Sequence, residues 1–495
     1  MVDVVFSLDV EDVAYPESDD ALKTLCEIFT REDVPLSLFV AGEKARVMRR
    51  RGRHDVIDAM RPHEICYHGN YFGDFPEPAI RYGSRLPFDE AVSLAMSVET
   101  KGLHDVAEIT GQFPVAWCAH QAQQSLPLQY ALKLAGVRCW AGGPRGWFMN
   151  WLSWPRSNCD VSLQGDWTLP FDPLHPDRVK PVSDVAADLR AAQADFEKKA
   201  EQNSFVVFLG HPCCWAASQW TYLFDYATLF RYGSAGPYPR PPPGGLIQPR
   251  SAADREAAFD MVRKLLRWIR KRTDVNFTNY TSLCDRDEED PVHWISWPRL
   301  VTLARRIHAD FDALTDDDTS FSPADVLGML LFSVTFLWQN NRWPDQIPVQ
   351  RPLGPTEEPL SCGGPVTLDR SSLIAGSLAA YSILMDERRL FGRLRASFKD
   401  VGPAELLHLL CRFILAYDET GQLPESVSIE AVPALPKAVD TSVITDRRFG
   451  SSNMPPAQDM GRLWDLLRWQ SWSYRPAVSG RNAIRSAGKR RDRCP

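Results

Sequence analysis

The sequence predicts an α/β fold on a parallel sheet or barrel, followed by a smaller helical domain. Three observations carry this. Over residues 1 to about 285, short apolar runs alternate with amphipathic stretches, the pattern of strands joined by crossover helices. Several of those runs are apolar throughout, as expected for strands covered on both faces. Beyond the acidic run Asp285–Asp290 the pattern turns helical, and one motif recurs 80 residues further on.

The first strand, Val2–Asp9, begins almost at the start of the chain. Pro35–Val40, Glu64–His68, Pro114–His120, Gly136–Ala141, Asp166–Phe171, Phe205–Gly210 and Val275–Tyr280 read as the strands that follow. Helical patterns cover Phe88–Ile109, Val182–Glu201 and Arg255–Arg272. In the last, Phe259, Val262, Leu265, Leu266 and Ile269 recur at helical spacing. GPYPRPPPGG, Gly236 to Gly245, fits neither a helix nor a central strand and reads as an exposed loop of the first domain.

The first domain is placed at 1–286 and a second at 291–440. SPADVLGMLL begins at Ser322 and GPAELLHLLC at Gly402, and the same offset lays Trp343–Val349 over Leu423–Ile429. Each unit is a Pro at a helix start, an apolar helix, then a Pro and a short β-like stretch. The expectation is an all-α domain with an internal two-fold repeat, whose halves bury faces neither can bury alone. Packing or homo-oligomer formation is its default role. From 441 to 495 periodicity lapses, and Arg481–Pro495 carries six basic residues and one acidic. That stretch reads as an irregular, mobile, basic tail.

Composition narrows the function. The chain has 495 residues, 44% hydrophobic and 24% charged, with a net charge of -7. This excludes a disordered or fibrous chain and gives no ground for a nucleic-acid partner. The longest strongly apolar stretch, Val326–Trp338, falls short of the roughly 20 residues a bilayer span needs. The start MVDVVFSLDV lacks the marks of a signal peptide, so the expected location is the cytoplasm. The 11 cysteines include no CxxC spacing and read as reduced thiols.

Seven of the ten histidines lie in the first domain, several at strand ends, where ligands gather in parallel α/β folds. The first strand ends in Ser7-Leu8-Asp9-Val10-Glu11-Asp12. Three carboxylates so close repel one another, and either solvent or a divalent cation relieves that. His63-Glu64-Ile65-Cys66-Tyr67-His68-Gly69-Asn70 brings His68 out at the third strand's end, and Phe205–Gly210 runs into His211-Pro212. Asp166-Trp167-Thr168-Leu169-Pro170 and Trp117-Cys118-Ala119-His120-Gln121 mark two further strand ends.

Together and in this order, SLDVED, LSLFVAGEKA, HEICYHGN, GDWTLP, FLGHP and VNFTNYTSL resemble the motifs of the polysaccharide deacetylase (NodB-homology) family, in its divergent D-x-E-D branch. The resemblance spans residues 1 to about 285. It implies a distorted (β/α) barrel that removes an N-acetyl group from an amino sugar, or hydrolyses another linear amide, with one divalent cation, zinc first among them. It makes Asp9 the general base, Glu11 the metal carboxylate with Asp12 as alternative, His68 a metal histidine and His211 the general acid. Asp166 and Trp167 would orient or line the carbohydrate site.

Two departures stand out. The family's second metal histidine falls at Phe72, and WCAHQ replaces its Arg/Pro motif. His120 is the expected substitute ligand, with His63 or Asp74 behind it. A competing reading is a carbohydrate-binding protein that has lost the metal and kept an aromatic cleft of Trp117, Trp140, Trp167 and Trp215. A glycosidase with paired carboxylates fits the histidine-rich rim less well.

Overall fold

The protein is described from a computed structural model. The structure describes residues 1–13, 15–71, 86–118, 126–141, 166–168, 185–202, 205–217, 249–288, 293–316, 319–396, 399–437, 465–466 and 468–473. They divide into two compact units between Arg286 and Asp287.

The first unit is organised by β1 (Val2–Val10), whose sequence VDVVFSLDV is buried at every position but Asp3. The other strands are β2 (Ser37–Val40), β3 (Glu64–Tyr67), β4 (Ala116–Trp117), β5 (Cys139–Trp140), β6 (Asp166–Thr168), β7 (Phe205–Gly210) and β8 (Val275–Phe277). They form one eight-stranded sheet in the order β5-β4-β3-β2-β1-β7-β6, with β8 added to β1. Every pairing is parallel. β7 runs along one edge of β1 from Asp3 to Leu8, while β8 takes Val2–Val4 and β2 takes Ser7–Val10 of the other. β1 is thus interior to the sheet and buried along almost its whole length, which fits a sequence that is apolar except at Asp3, Ser7 and Asp9. Each of the eight strands expected from the sequence overlaps one of these. The described pairings run from β5 to β6 without closing a ring.

The helices are α1 (Glu17–Arg31), α2 (Gly42–Arg50), α3 (His54–Met60), α4 (Phe88–Thr110), α5 (Leu126–Leu134), α6 (Val185–Gln202), α7 (Cys213–Ala216), α8 (Ala252–Arg270) and α9 (Tyr280–Glu288). α1 opens with Glu17, Asp19 and Asp20 and ends in Arg31, charges that suit its dipole. α4 stops at Gly111, whose φ of 81° is left-handed and whose N–H reaches the Ala107 carbonyl. α8 starts on Ser251, whose hydroxyl accepts the Asp254 N–H at 3.0 Å. α2 and α4 meet closely at two glycines: a Cβ on Gly42 would stand 2.7 Å from the Gly102 Cα. Gly236–Gly245 lies outside the described residues.

The second unit corrects the all-α expectation. It runs β9 (Trp294–Ser296), α10 (Trp297–Ala309), β10 (Leu314–Asp316), β11 (Thr319–Phe321), α11 (Pro323–Asn340), β12 (Gln346–Pro348). It then continues β13 (Val366–Asp369), α12 (Arg370–Glu387), β14 (Leu394–Ala396), β15 (Lys399–Val401), α13 (Pro403–Thr420), β16 (Ser426–Ile429). The order strand, helix, hairpin, helix, strand therefore occurs twice. In each copy the outer strands pair antiparallel and the inner two form a hairpin. α10 packs on α13 and α11 on α12, so each copy's first helix lies against the other's second. Phe321, Leu330, Leu373, Leu410 and Phe413 belong to one shared core. Strands of three or four residues are too short to announce themselves by periodicity.

Three of the four helix starts described in this unit, those of α11, α12 and α13, are closed by side chains. Ser322 and Asp325 form a reciprocal capping box at α11. At α13 the Glu405 carboxylate accepts the Gly402 N–H at 3.0 Å and the Cys362 N–H at 2.7 Å. Part of the presumed tail belongs here too. Leu466, Trp469 and Trp472 are buried, and Trp472 donates through Nε1 to the Ala434 carbonyl at 3.1 Å. Gln470 accepts from the Gly354 N–H and donates to the Pro355 carbonyl. Apolar residues at helical spacing dock this stretch, so 441–495 is not uniformly a free tail. Arg481–Pro495 lies outside the described residues.

Candidate functional site

Parallel strands bring their carboxyl ends to one edge of the sheet. At that edge β1 presents Asp9 and then Glu11, β3 is followed by His68, β4 by Cys118 and β7 by His211. β2 lies between β1 and β3, and it ends in Val40-Ala41-Gly42. The Ala41 N–H reaches the Val10 carbonyl at 3.1 Å and the Gly42 N–H the Gly69 carbonyl at 2.9 Å. This small-residue turn stitches β1 to β3. Gly69, with φ of 90°, takes the chain away from His68 in a left-handed conformation.

Four side chains converge. His68 Nε2 stands 3.1 Å from Glu11 Oε2 and 3.5 Å from Asp9 Oδ2. His211 Nε2 stands 3.3 Å from Asp9 Oδ2 and 3.6 Å from Glu11 Oε1. Each carboxylate thus faces both imidazoles. All four residues are nearly sealed: 6% exposed for Asp9, 4% for Glu11 and His211, 2% for His68. His68 Nδ1 donates to the Cys118 carbonyl at 2.9 Å. A carbonyl only accepts, so the Nδ1 proton is fixed and Nε2 faces the carboxylates. Burial works against the His68 cation, but Asp9 and Glu11 beside it outweigh that, and its proton affinity is raised.

These donors suit a divalent cation. Imidazole and carboxylate are suitable ligands for zinc or a similar ion. An imidazole whose other nitrogen is held by a carbonyl is the usual outer arrangement of a metal-bound histidine. Asp9 Oδ1 is buried and has no hydrogen-bond partner. A buried polar atom left so costs about 1–3 kcal/mol, and a cation beside it would remove the cost. Asp9, His68 and Cys118 each offer a ligand atom within 4.8 Å of the others.

Asp12 plays another part. Its carboxylate accepts the Tyr15 N–H at 3.3 Å, and its carbonyl accepts from Lys44 Nζ. Of the two acidic alternatives, Glu11 is the one set against the imidazoles. Lys44 was not foreseen. It is 2% exposed, pairs with the fully buried Asp19 and lies within 3.3 Å of Ser18 Oγ. Arg51 reaches the same aspartate at 3.0 Å. Lys44 and Asp19 thus anchor the segment that carries Glu11 and Asp12. A small pocket is lined by Asp9, Glu11, Asp12, Lys44, Pro212 and Cys213.

His63, named as a substitute ligand, is at the wrong end of its strand. It precedes β3, and its Nε2 is 3.0 Å from the Cys26 carbonyl and 3.1 Å from Thr30 Oγ1. Burial pushes its proton affinity down. Its neighbour Glu64 accepts the Tyr280 and Thr281 N–H groups at the start of α9. His120, Phe72 and Asp74 lie outside the described residues. Asp166 and Trp167 are placed by their backbone, in register with Val207 and Phe208 of β7. Trp117 and Trp215 are 3% and 0% exposed, so two of the four tryptophans of the imagined sugar cleft are core residues. Cys213 and Cys214 are buried and outside any disulfide. Cys118 carries no sequence signal of its own as a ligand, since it stands two residues before His120, outside any CxxC spacing.

A search of protein-family models finds no match, and neither does a search of curated proteins. Solved structures do resemble the chain. One, given as a polysaccharide deacetylase from Mycobacterium smegmatis, is 14% identical, with a TM-score of 0.35, over 58% of this chain and 90% of that one. A family 4 acetyl xylan esterase from Clostridium thermocellum, in complex with a cobalt ion, is 13% identical, with a TM-score of 0.30, over 58% and 93%. A CE4-family pseudoenzyme from Bacillus anthracis is 13% identical, with a TM-score of 0.29, over 57% and 65%. At this distance the function has to be read from the chain's own site. Among the described residues, no helix is long and apolar enough to cross a membrane.

Proposed function

We propose that the first unit is a metal-dependent hydrolase of a linear amide, acting on the N-acetyl group of an amino sugar or saccharide precursor. One observation carries the chemistry: two carboxylates and two imidazoles from three strand ends meet at 3.1 to 3.6 Å, almost fully buried. Burying charges is expensive, and such clusters gather where chemistry needs them. The substrate class rests on the motif resemblance.

Glu11 and His68 would hold the cation, with Asp9 and His211 beside it. When bound, such an ion polarises the amide carbonyl and lowers the pKa of a bound water. Asp9 takes the proton of the attacking water. His211, protonated, gives its proton to the departing amine, which otherwise leaves poorly. Asp9 is then protonated and His211 neutral. The 3.3 Å between Asp9 Oδ2 and His211 Nε2 lets that proton cross back and reset the pair. The bond from His68 Nδ1 to the Cys118 carbonyl keeps the ring oriented throughout.

The test is acetate release from N-acetylglucosamine oligomers by zinc-loaded protein. Activity should vanish on chelation and return with zinc. Asp9→Asn and His211→Ala should each lower kcat by about 10²–10⁴-fold, the usual worth of a positioned acid or base. Full activity in both variants, or after chelation, would refute the mechanism.

A further inference from the structure

Cys118 is positioned with unusual economy. Its N–H donates to the Tyr67 carbonyl at 3.0 Å, and its own carbonyl accepts from His68 Nδ1 at 2.9 Å. Both of its peptide groups are thus tied to the residues that deliver the metal imidazole. Its thiol is in no disulfide. Its Sγ and one ligand atom each of Asp9 and His68 lie within 4.8 Å of one another. Asp9, in the same cluster, is 6% exposed and has a buried oxygen, Oδ1, with no hydrogen-bond partner. That oxygen independently points to a cation in this space.

We infer that Cys118 is a protein ligand of the cation, contributing a thiolate beside His68. The inference rests on the cation reading above and deepens it. On binding, the S–H bond breaks, a sulfur–metal bond forms, and the proton leaves to solvent. A thiolate next to imidazole and carboxylate makes the site softer than an all-oxygen one. It selects zinc and cobalt over magnesium or calcium.

Cobalt(II) added to the metal-free full-length protein is the probe. A thiolate–cobalt bond gives an intense near-ultraviolet charge-transfer band that carboxylate and imidazole ligands do not. Wild type should show this band together with the visible bands of bound cobalt. Cys118→Ser should lose the charge-transfer band and bind cobalt about 10-fold or more weakly by equilibrium dialysis, at least the scale of an outer-shell partner. Cys118→His should bind cobalt near wild-type strength without that band, which separates ligation from folding. Cobalt bound in wild type without the charge-transfer band, or a band unchanged in Cys118→Ser, overturns the thiolate ligand and leaves the cation site standing. No cobalt uptake by wild type overturns both.

Discussion

The segment that carries Glu11 and Asp12 is anchored by a buried ion pair, and that pair gives a quantitative test. Lys44 is 2% exposed and Asp19 0%. Asp19→Ala leaves the Lys44 ammonium buried, with only the Asp12 carbonyl and the Ser18 hydroxyl as partners. Removing one partner of a buried pair typically costs about 3–5 kcal/mol. Lys44→Met should cost less, because Arg51 still reaches Asp19 at 3.0 Å. Asp55→Ala is the control: its carboxylate, 45% exposed, pairs with Lys23 at 3.2 Å and with Arg53 at 3.0 Å, and surface pairs of this kind are worth about 0–1 kcal/mol each. Urea denaturation followed by tryptophan fluorescence measures all three. Lys44→Met should also weaken zinc binding while the protein stays folded, because the Glu11–Asp12 segment loses its anchor. An Asp19→Ala cost no larger than that of Asp55→Ala would refute the reasoning.

Other outcomes follow from particular contacts. Glu99 is 6% exposed and its proton affinity is raised to about 7, mainly by burial. The folded protein therefore holds that proton more tightly than the unfolded chain. Stability should fall as pH climbs from the ordinary carboxyl value of 4.5 to about 7, by on the order of 3 kcal/mol at ~1.4 kcal/mol per pH unit. Both the Tyr67 hydroxyl and the Asn70 N–H bond the same oxygen, Oε2, which a glutamine oxygen can replace. Glu99→Gln should flatten that slope in denaturation curves taken across the range. Gly102→Ala would drive a methyl into the Asn70 backbone at 2.7 Å; a loss of about 1–3 kcal/mol is expected for such overpacking, read as a lower Tm. Trp472→Ala should cost about 3–5 kcal/mol if the docked stretch belongs to the second unit's core, and almost nothing if it is a free tail.

The strands of the first unit were legible because enclosure on both faces leaves a mark that composition alone shows. Val2–Val10 is the plainest case, and Phe205–Gly210 followed by His211 is another. Strand direction was the harder inference. His63 and His68 flank the same strand, yet only the residue after β3 reaches the carboxyl edge. His63 sits at the other end, against Cys26 and Thr30. Side-chain direction was harder still. Trp117 and Trp215 looked like cleft aromatics, but in a short strand and a four-residue helix both turn inward. Lys44 gave no sequence signal, since nothing local shows that Asp19 will enclose its ammonium. In the second unit the 80-residue recurrence between Pro323 and Pro403 was visible, whereas the three-residue strands of the hairpins were not. The β-like stretches within Trp343–Val349 and Leu423–Ile429 were the β signals there, and they contain β12 and β16.

The most direct measurement is an anomalous difference map from crystals of the full chain grown with zinc, collected on both sides of the zinc absorption edge. One strong peak is expected among Asp9, Glu11 and His68, within bonding distance of His68 Nε2 and with His211 close by. A map with no peak there, or with zinc bound only at surface histidines, would contradict a cation held by these strand ends.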